Sequence, residues 1–450
     1  MGSEANVSTL SGIGVIFILM GGVALLVLPR RYVIAVLFIV GCYMTLGQVL
    51  MIGPFHFSIF RIFLFLGWLR ILVKGEISTI RLNSFDYSLL TWVIISSAAY
   101  VIARGSTVAV ISRLGWSCNV VGAYFLYRAL VNNIDDIILP VKILCFIIIP
   151  LAVIFIAEYK TGRNIFSVFG SVPEITVIRE GKIRCQGPFA HPILAGTFAA
   201  TTMPLFVGLW SHGACSRLVI TCSILSASII VFLSSSSGPI LAYLISVLGL
   251  VFWPLRRKMR SVRWCLIALI ATLTLFMKAP VWYLIARMSE ILGMGTGWHR
   301  SALIDAAINH FDEWWLVGTT YTAHWMPTYL PTDPNNADIT NQFIAEGVNG
   351  GFISMCLFIW LLVKSFSANG VALRNYALFS IPEQHMIWAM GCALLSHVAS
   401  FFSVPYFDQI ILFWYWLLAA IVALGYSRNE NKAKSVNKGG SLKKRILIHA

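Results

Sequence analysis

The stretch 136-DIILPVKILCFIIIPLAVIFIAE-158 holds one charged residue, Lys142, between its acidic ends. Its length matches the roughly 20 residues that a helix needs to cross the hydrocarbon of a bilayer. The apolar residues are continuous, whereas those of a barrel strand alternate with polar ones. A helix solvated by lipid fits this pattern. Outward from it, similar apolar runs recur at about 10–28, 32–50, 57–73, 84–103, 108–130, 190–210, 215–235, 238–254, 264–282, 349–366, 384–402 and 407–425. The expected fold is therefore all-α, a polytopic transmembrane helical bundle of about 12–13 spans.

Composition points the same way. Of 450 residues, 58% are hydrophobic and 11% charged, and the mean hydropathy is +0.81. A soluble domain carries about a quarter charged residues to cover its surface. This chain has too few, so lipid supplies the missing solvent. Arg30 and Arg31, Lys74 and Arg81, Arg128, Arg217, the run 255-LRRKMRSVR-263, and Lys364 with Arg374 all fall in loops of one parity. The tail 428-RNENKAKSVNKGGSLKKR-445 falls on that side too, which the positive-inside rule makes cytoplasmic. An odd number of spans then puts the N-terminus outside, in keeping with the short start 1-MGSEANVS-8. That start lacks the basic region of a cleavable signal peptide.

The formal charge of +15 is then mostly a topology signal, with no nucleic-acid partner required. Of nine cysteines only Cys185 lies in an expected outer loop, so no disulfide is expected, and no spacing resembles a zinc site. The chain divides into N-terminal membrane helices (1–158), an outer loop (159–189), middle membrane helices (190–282), a large outer loop (283–348), C-terminal membrane helices (349–425) and a basic cytoplasmic tail (426–450).

The two outer loops hold the polar chemistry. Loops beyond about 15 residues are uncommon and usually functional. Within the second, 300-RSALIDAAINHF-311 has apolar residues at helical spacing and suits an interfacial helix. Trp298, Trp314, Trp315, Tyr321, Trp325 and Tyr329 surround it, mostly as an expected interfacial belt. The loops also carry Lys160, Arg163, Arg179, Lys182, Arg184, Arg287 and Arg300, although basic residues are disfavoured outside. Solvated pairing with Glu174, Glu180 and Glu290 explains several of these. Arg61 and Arg113 lie within spans near their outer ends, where an arginine costs at least about 2.5 kcal/mol at the centre unless it snorkels. Arginines gathered at one depth would make an anion site at the outer leaflet, because guanidinium matches phosphate oxygens with paired hydrogen bonds.

The stretch 184-RCQGPFAHPILAGTFAATTMPLF-206 resembles the Arg-x-x-Gly-x-Phe-x-(His/Asn)-Pro signature of the bacterial O-antigen ligase and polysaccharide polymerase superfamily. Next, 297-GWHRSALIDAAINHFDEWWLVGTTYTAHW-325 looks like that family's glycine-and-arginine helix followed by a Pro-or-Val-Gly turn. A third segment, 338-DITNQFIAEGVNGGFISMCLFIW-360, is similar to its amphipathic helix, glutamate-glycine segment and following span. Together the matches cover roughly residues 160–370, and their order around one large outer loop is the specific part. One feature departs from the family: where its ligases often carry His-Asn, this chain has Asp338 and Asn341, with His324 the nearest upstream histidine.

The resemblance implies a glycosyltransferase of the bacterial inner membrane, with an undecaprenyl-diphosphate-linked oligosaccharide as donor and a sugar hydroxyl as acceptor. It implies diphosphate binding by Arg184 and Arg300, with Arg61 and Arg113 as further candidates, and acceptor activation by His324 or Asp338. No cofactor or metal is expected, since arginines serve the phosphates, and other polysaccharide-assembly proteins are possible partners. Asp338 also reads as the N-cap of a helix over 339–346, His191 as a structural helix start, and His299, His310 and Asp305 as neighbours of Arg300. Polymerase is favoured over ligase because the His-Asn is missing. A flippase of lipid-linked sugars would instead show repeated halves and mid-membrane polar groups. A scaffold that has lost catalysis is the remaining alternative.

Overall fold

The computed structural model describes residues 8–52, 55–76, 80–291, 293, 297–326, 335–376 and 381–426. Tyr329, most of the N-terminal start and nearly all of the basic tail lie outside them. Among the described residues there are sixteen α-helices and five short strands. Six helices come first: α1 (Gly12–Val27), α2 (Arg30–Tyr43), α3 (Ile59–Val73), α4 (Ser84–Arg104), α5 (Thr107–Leu130) and α6 (Asp135–Thr161). Strands β1 (Ser8–Thr9), β2 (Gln48–Ile52) and β3 (Phe55–Ser58) form one small sheet, and β4 (Val177–Arg179) and β5 (Lys182–Arg184) a hairpin. Then follow α7 (Pro192–Leu209), α8 (Arg217–Leu233), α9 (Ser237–Val251), α10 (Met259–Phe276), α11 (Leu284–Ile291), α12 (Gly297–Asn309) and α13 (Phe311–Trp314). The chain closes with α14 (Gln342–Asn375), α15 (Ile381–Phe401) and α16 (Ile410–Tyr426).

Among the described residues five helical segments are long and apolar enough to cross a membrane: 84–104, 135–161, 192–209, 253–276 and 342–375. Four more apolar helices, α1, α8, α9 and α16, have 16, 17, 15 and 17 residues. Each of the apolar runs in the sequence overlaps a helix; α10 stops at Phe276, short of the expected 282, and two other differences have a visible cause. Helix α2 stops at Tyr43, and 48–52 turns into β2, paired antiparallel with β3 so that Val49 faces Ser58. The cause is Gln48, whose fully buried amide donates to Thr45 Oγ1 (2.9 Å) and accepts from the Ser11 backbone N–H (3.0 Å). A buried polar group needs its partners, and these turn the chain out of the helix. The other difference is α14, which begins at Gln342 and kinks at Gly351 (φ +77°).

Helix α7 is the centre of the bundle. All its residues except Val207 are buried, and it packs against α8, α9 and α15. At Gly196 a Cβ would lie 2.4 Å from Ser234 Oγ, so this glycine lets the serine turn before α9 approach the central helix. The end of α1 is closed by buried Arg70, which donates to the carbonyls of Leu25 (2.7 Å), Leu26 (3.2 Å) and Leu28 (2.7 Å). A cation there complements the negative end of the helix dipole. At the start of α4, Asn83 and Asp86 form a capping box. Helix α10 is the opposite case: it buries no residue and exposes Trp264, Leu266, Ile267, Leu269, Ile270, Leu275 and Phe276.

The large loop carries a second small core of Leu303, Ala306, Ala307, Trp314, Trp325, Met326, Ala337, Ile339, Ile344 and Val348. Trp314 and Trp325 are therefore core residues and not belt residues, while Trp298, Trp315 and Tyr321 are exposed. Trp314 donates its indole N–H to the Ala307 carbonyl (2.8 Å), satisfying the one polar atom its burial brings along.

Candidate functional site

The segment 184–191 is fixed by buried polar side chains. Glu158, at the end of α6, accepts backbone N–H bonds from Gln186 (3.1 Å) and Gly187 (2.9 Å). Asn164 donates to the Gly187 carbonyl (2.7 Å), Gln409 to the Pro188 carbonyl (2.5 Å), and Asp408 accepts from the Ala190 N–H (3.2 Å). Gly187 has φ +55°, and a Cβ on it would lie 2.4 Å from Phe155 Cε2. A left-handed residue pressed against an aromatic ring has to be glycine. His191 caps α7, its Nδ1 accepting from the Ile193 N–H (3.1 Å), which is the structural role read from the sequence.

This rigid loop delivers Arg184 to the turn before α9. Arg184 is 7% exposed and Arg300, from the first turn of α12, is 5% exposed. Arg184 donates to Ser236 Oγ (2.7 Å) and Arg300 to Ser237 Oγ (2.8 Å). The two arginines, 116 residues apart in sequence by subtraction of 184 from 300, thus meet on adjacent serines of the 234-SSSSGP-239 turn. Neither forms an ion pair with a carboxylate among the described residues, and Arg184 Nε is buried without a partner. Burial pushes Arg184 down to about 10, helped by Arg179 and opposed by Glu180. Burial also pushes Arg300 down to about 10, and the charges of Arg179 and Arg184 add to the effect. Both remain cationic at neutral pH. Ser236, the N-cap of α9, gives its side chain to Arg184 and to the Ser234 carbonyl, leaving the helix's first N–H groups without a side-chain cap. Two guanidinium groups and a helix N-terminus make a strongly electropositive, largely desolvated spot.

The other two arginines lie elsewhere. Arg113, on α5, sits 3.9 Å from the Tyr100 ring centre and donates to the Asn349 carbonyl (3.3 Å). Arg104 lies 3.6 Å from the same ring and reaches Asn349 Oδ1 (3.5 Å). A cavity of about 160 Å³ opens beside them, lined by Arg104, Thr320, Thr322, Asn336, Asn349 and Pro405 among others. Arg61, on α3, donates to Asn119 (3.1 Å) and fills the space above Gly115 of α5.

The two candidates for the acceptor side are also separated. The Asp338 carbonyl faces His299 Nε2 (3.1 Å), next to Arg300, and its exposed carboxylate has no hydrogen bond or ion pair with the described residues. It is not an N-cap: α14 begins later, and Asn341 caps it by accepting from the Phe343 and Ile344 N–H groups (2.9 and 3.2 Å). His324 instead faces Glu313 Oε1 (2.8 Å), which also faces His310 Nδ1 (2.8 Å). His310 follows the last residue of α12, ten positions beyond Arg300, about 15 Å along that axis at 1.5 Å per residue. Asp305 is occupied as acceptor for Trp282 Nε1 (2.7 Å) and the Tyr283 hydroxyl. Burial alone would raise the Glu313 carboxyl, but hydrogen bonds from Trp325, His324 and His310 outweigh it and hold it below the usual carboxylate range.

Sequence reasoning missed Glu158, Asn164, Asp408 and Gln409, which hold the arginine loop, and Ser236 with Ser237, on which the arginines meet. Glu158 had a visible signal, a charge ending an otherwise apolar run, and the serine run was visible as a short turn. No protein-family model matches the chain, and no curated protein is significantly similar to it.

Proposed function

We propose that the chain is a multi-span glycosyltransferase of the bacterial inner membrane, with its N-terminus outside, that moves a saccharide from a lipid diphosphate to a sugar hydroxyl. The observation that carries this reading is the pair Arg184 and Arg300, both buried, meeting on Ser236 and Ser237 with no carboxylate partner among the described residues. Leaving a charge buried and unpaired costs about several kcal/mol, which a dianionic ligand between the two guanidinium groups would recover. The exposed apolar surface of α10 supports a lipid-facing helix, since in water it would be an aggregation liability.

In this mechanism the acceptor hydroxyl attacks the anomeric carbon, and the bond to the diphosphate breaks with the electron pair staying on the leaving oxygen. Arg184, Arg300 and the α9 N-terminus hold the negative charge that grows there. The acceptor's proton passes to a base beside this spot. Asp338 is the candidate whose backbone meets His299, the residue before Arg300, and His324 is paired with Glu313 beyond the end of α12. The resemblance in the three motifs, with the His-Asn of ligases absent, favours polymerisation of O-antigen or exopolysaccharide repeat units.

The test is reconstitution of purified protein with a synthetic undecaprenyl-diphosphate oligosaccharide in EDTA. Chain growth that disappears in Arg184→Ala supports polymerase activity. Transfer only when a lipid A-core acceptor is added makes it a ligase, and movement of labelled lipid across the bilayer without transfer overturns the reading in favour of a flippase.

A further inference from the structure

We infer that His310, Glu313 and His324 form a binding site for one divalent transition-metal ion of the zinc type, which clamps the large loop and is separate from the arginine site. His310 and Glu313 are three residues apart at the α12–α13 corner, and His324 arrives from the turn 323–325. One ligand atom from each lies within 4.8 Å of the other two. Two imidazoles and a carboxylate are an established zinc donor set, with ligand distances of about 2.0–2.2 Å. In a tetrahedron of that size, ligand atoms stand about 3.2–3.6 Å apart. The measured contacts of 2.8 Å, from Glu313 Oε1 to His310 Nδ1 and to His324 Nε2, open to that spacing with small rotations of the side chains.

The surroundings hold the donors in place, as outer-sphere groups around metal ligands do. Trp325 Nε1 donates to the other Glu313 oxygen (3.0 Å), fixing the carboxylate plane. His310 lies parallel to the Trp325 ring at 5.7 Å, and His324 parallel to Tyr321 at 5.1 Å. The three donors are 32%, 30% and 37% exposed, open enough for an ion to enter and keep a water as fourth ligand. Without metal, one carboxylate oxygen facing two ring nitrogens requires both to carry hydrogen. An ion replaces those two hydrogens, and each neutral ring keeps its proton on the other nitrogen. The sequence hid this site because the third donor comes eleven positions after Glu313, outside the common zinc spacings.

The ion takes His324 out of the acceptor's chemistry and joins the α12–α13 corner to the turn 323–325 within a loop that has only a small core of its own. The inference rests on the cluster alone and needs neither donor nor acceptor, so it stands or falls apart from the transfer reading. Full-length protein with any affinity tag removed is stripped with EDTA, desalted in detergent and titrated with Co²⁺, then Zn²⁺. One ion per chain, a tetrahedral Co²⁺ absorption band and at least tenfold weaker binding in His310→Ala and Glu313→Gln are expected, with no change in His385→Ala, a histidine of α15 that faces Ser211 outside the cluster. A zinc-dependent rise in the unfolding midpoint of the wild type, absent in folded Glu313→Gln, is expected as well. No saturable binding, or binding equal in the wild type and both cluster variants, overturns the inference.

Discussion

At the scale of single residues, glycine and carboxylate positions decide whether the arginine site exists. Gly187→Ala forces a left-handed alanine against Phe155, at a cost of about 2–4 kcal/mol. The expected outcome is an unfolding midpoint lower by several degrees, and an unchanged midpoint contradicts the packing described. Asp338→Asn keeps the shape and removes the proposed base, so turnover should fall about 10²–10⁴-fold. His324→Ala should cost less than tenfold, because that ring is paired with Glu313 beyond the end of α12 and makes no contact with Arg300. Equal losses would return the proton to His324. The Arg-x-x-Gly-x-Phe-x-His-Pro run was legible because its spacing is local. That Arg184 and Arg300 share one turn was not, because that depends on how α9 and α12 pack.

At the scale of elements, hydropathy located the helices well, since an apolar run needs its backbone bonds satisfied internally whatever its neighbours. It failed where one buried polar side chain redirected the backbone, as Gln48 does after α2. It could not separate Trp314 and Trp325 from the exposed Trp298, Trp315 and Tyr321, because a belt and a small core use the same residue types. The kink of α14 arises at Gly351, where a Cβ would lie 2.3 Å from the Leu316 carbonyl oxygen. The open backbone there lets the Phe352 N–H bond the Trp315 carbonyl (2.8 Å), joining the large loop to α14. Helix α10 offers a further check through exposed Cys265. With α10 facing lipid, a membrane-permeant apolar maleimide labels Cys265 and a charged one does not. Rapid labelling by the charged reagent in intact vesicles would contradict it.

At the scale of the whole molecule, a central buried helix, α7, supports two polar loops whose candidate diphosphate-binding side chains, Arg184 and Arg300, meet at the serine turn packed on its first turns. His191 opens α7 where the Arg184 loop enters it, and Gly196 seats the serine turn one turn later. The proposed chemistry thus rests beside a helix buried over nearly its whole length, which suits a site that must hold charge in a fixed place. The most direct test of the central claim is a thermodynamic cycle on undecaprenyl diphosphate binding, using Arg184→Ala, Arg300→Ala and the double variant in detergent. If one diphosphate sits between the two guanidinium groups, each single variant weakens binding at least tenfold. The double variant then loses less than the product of the two losses, as expected for groups sharing one ligand. Unchanged binding in either single variant, or losses that simply multiply, would contradict a shared diphosphate site.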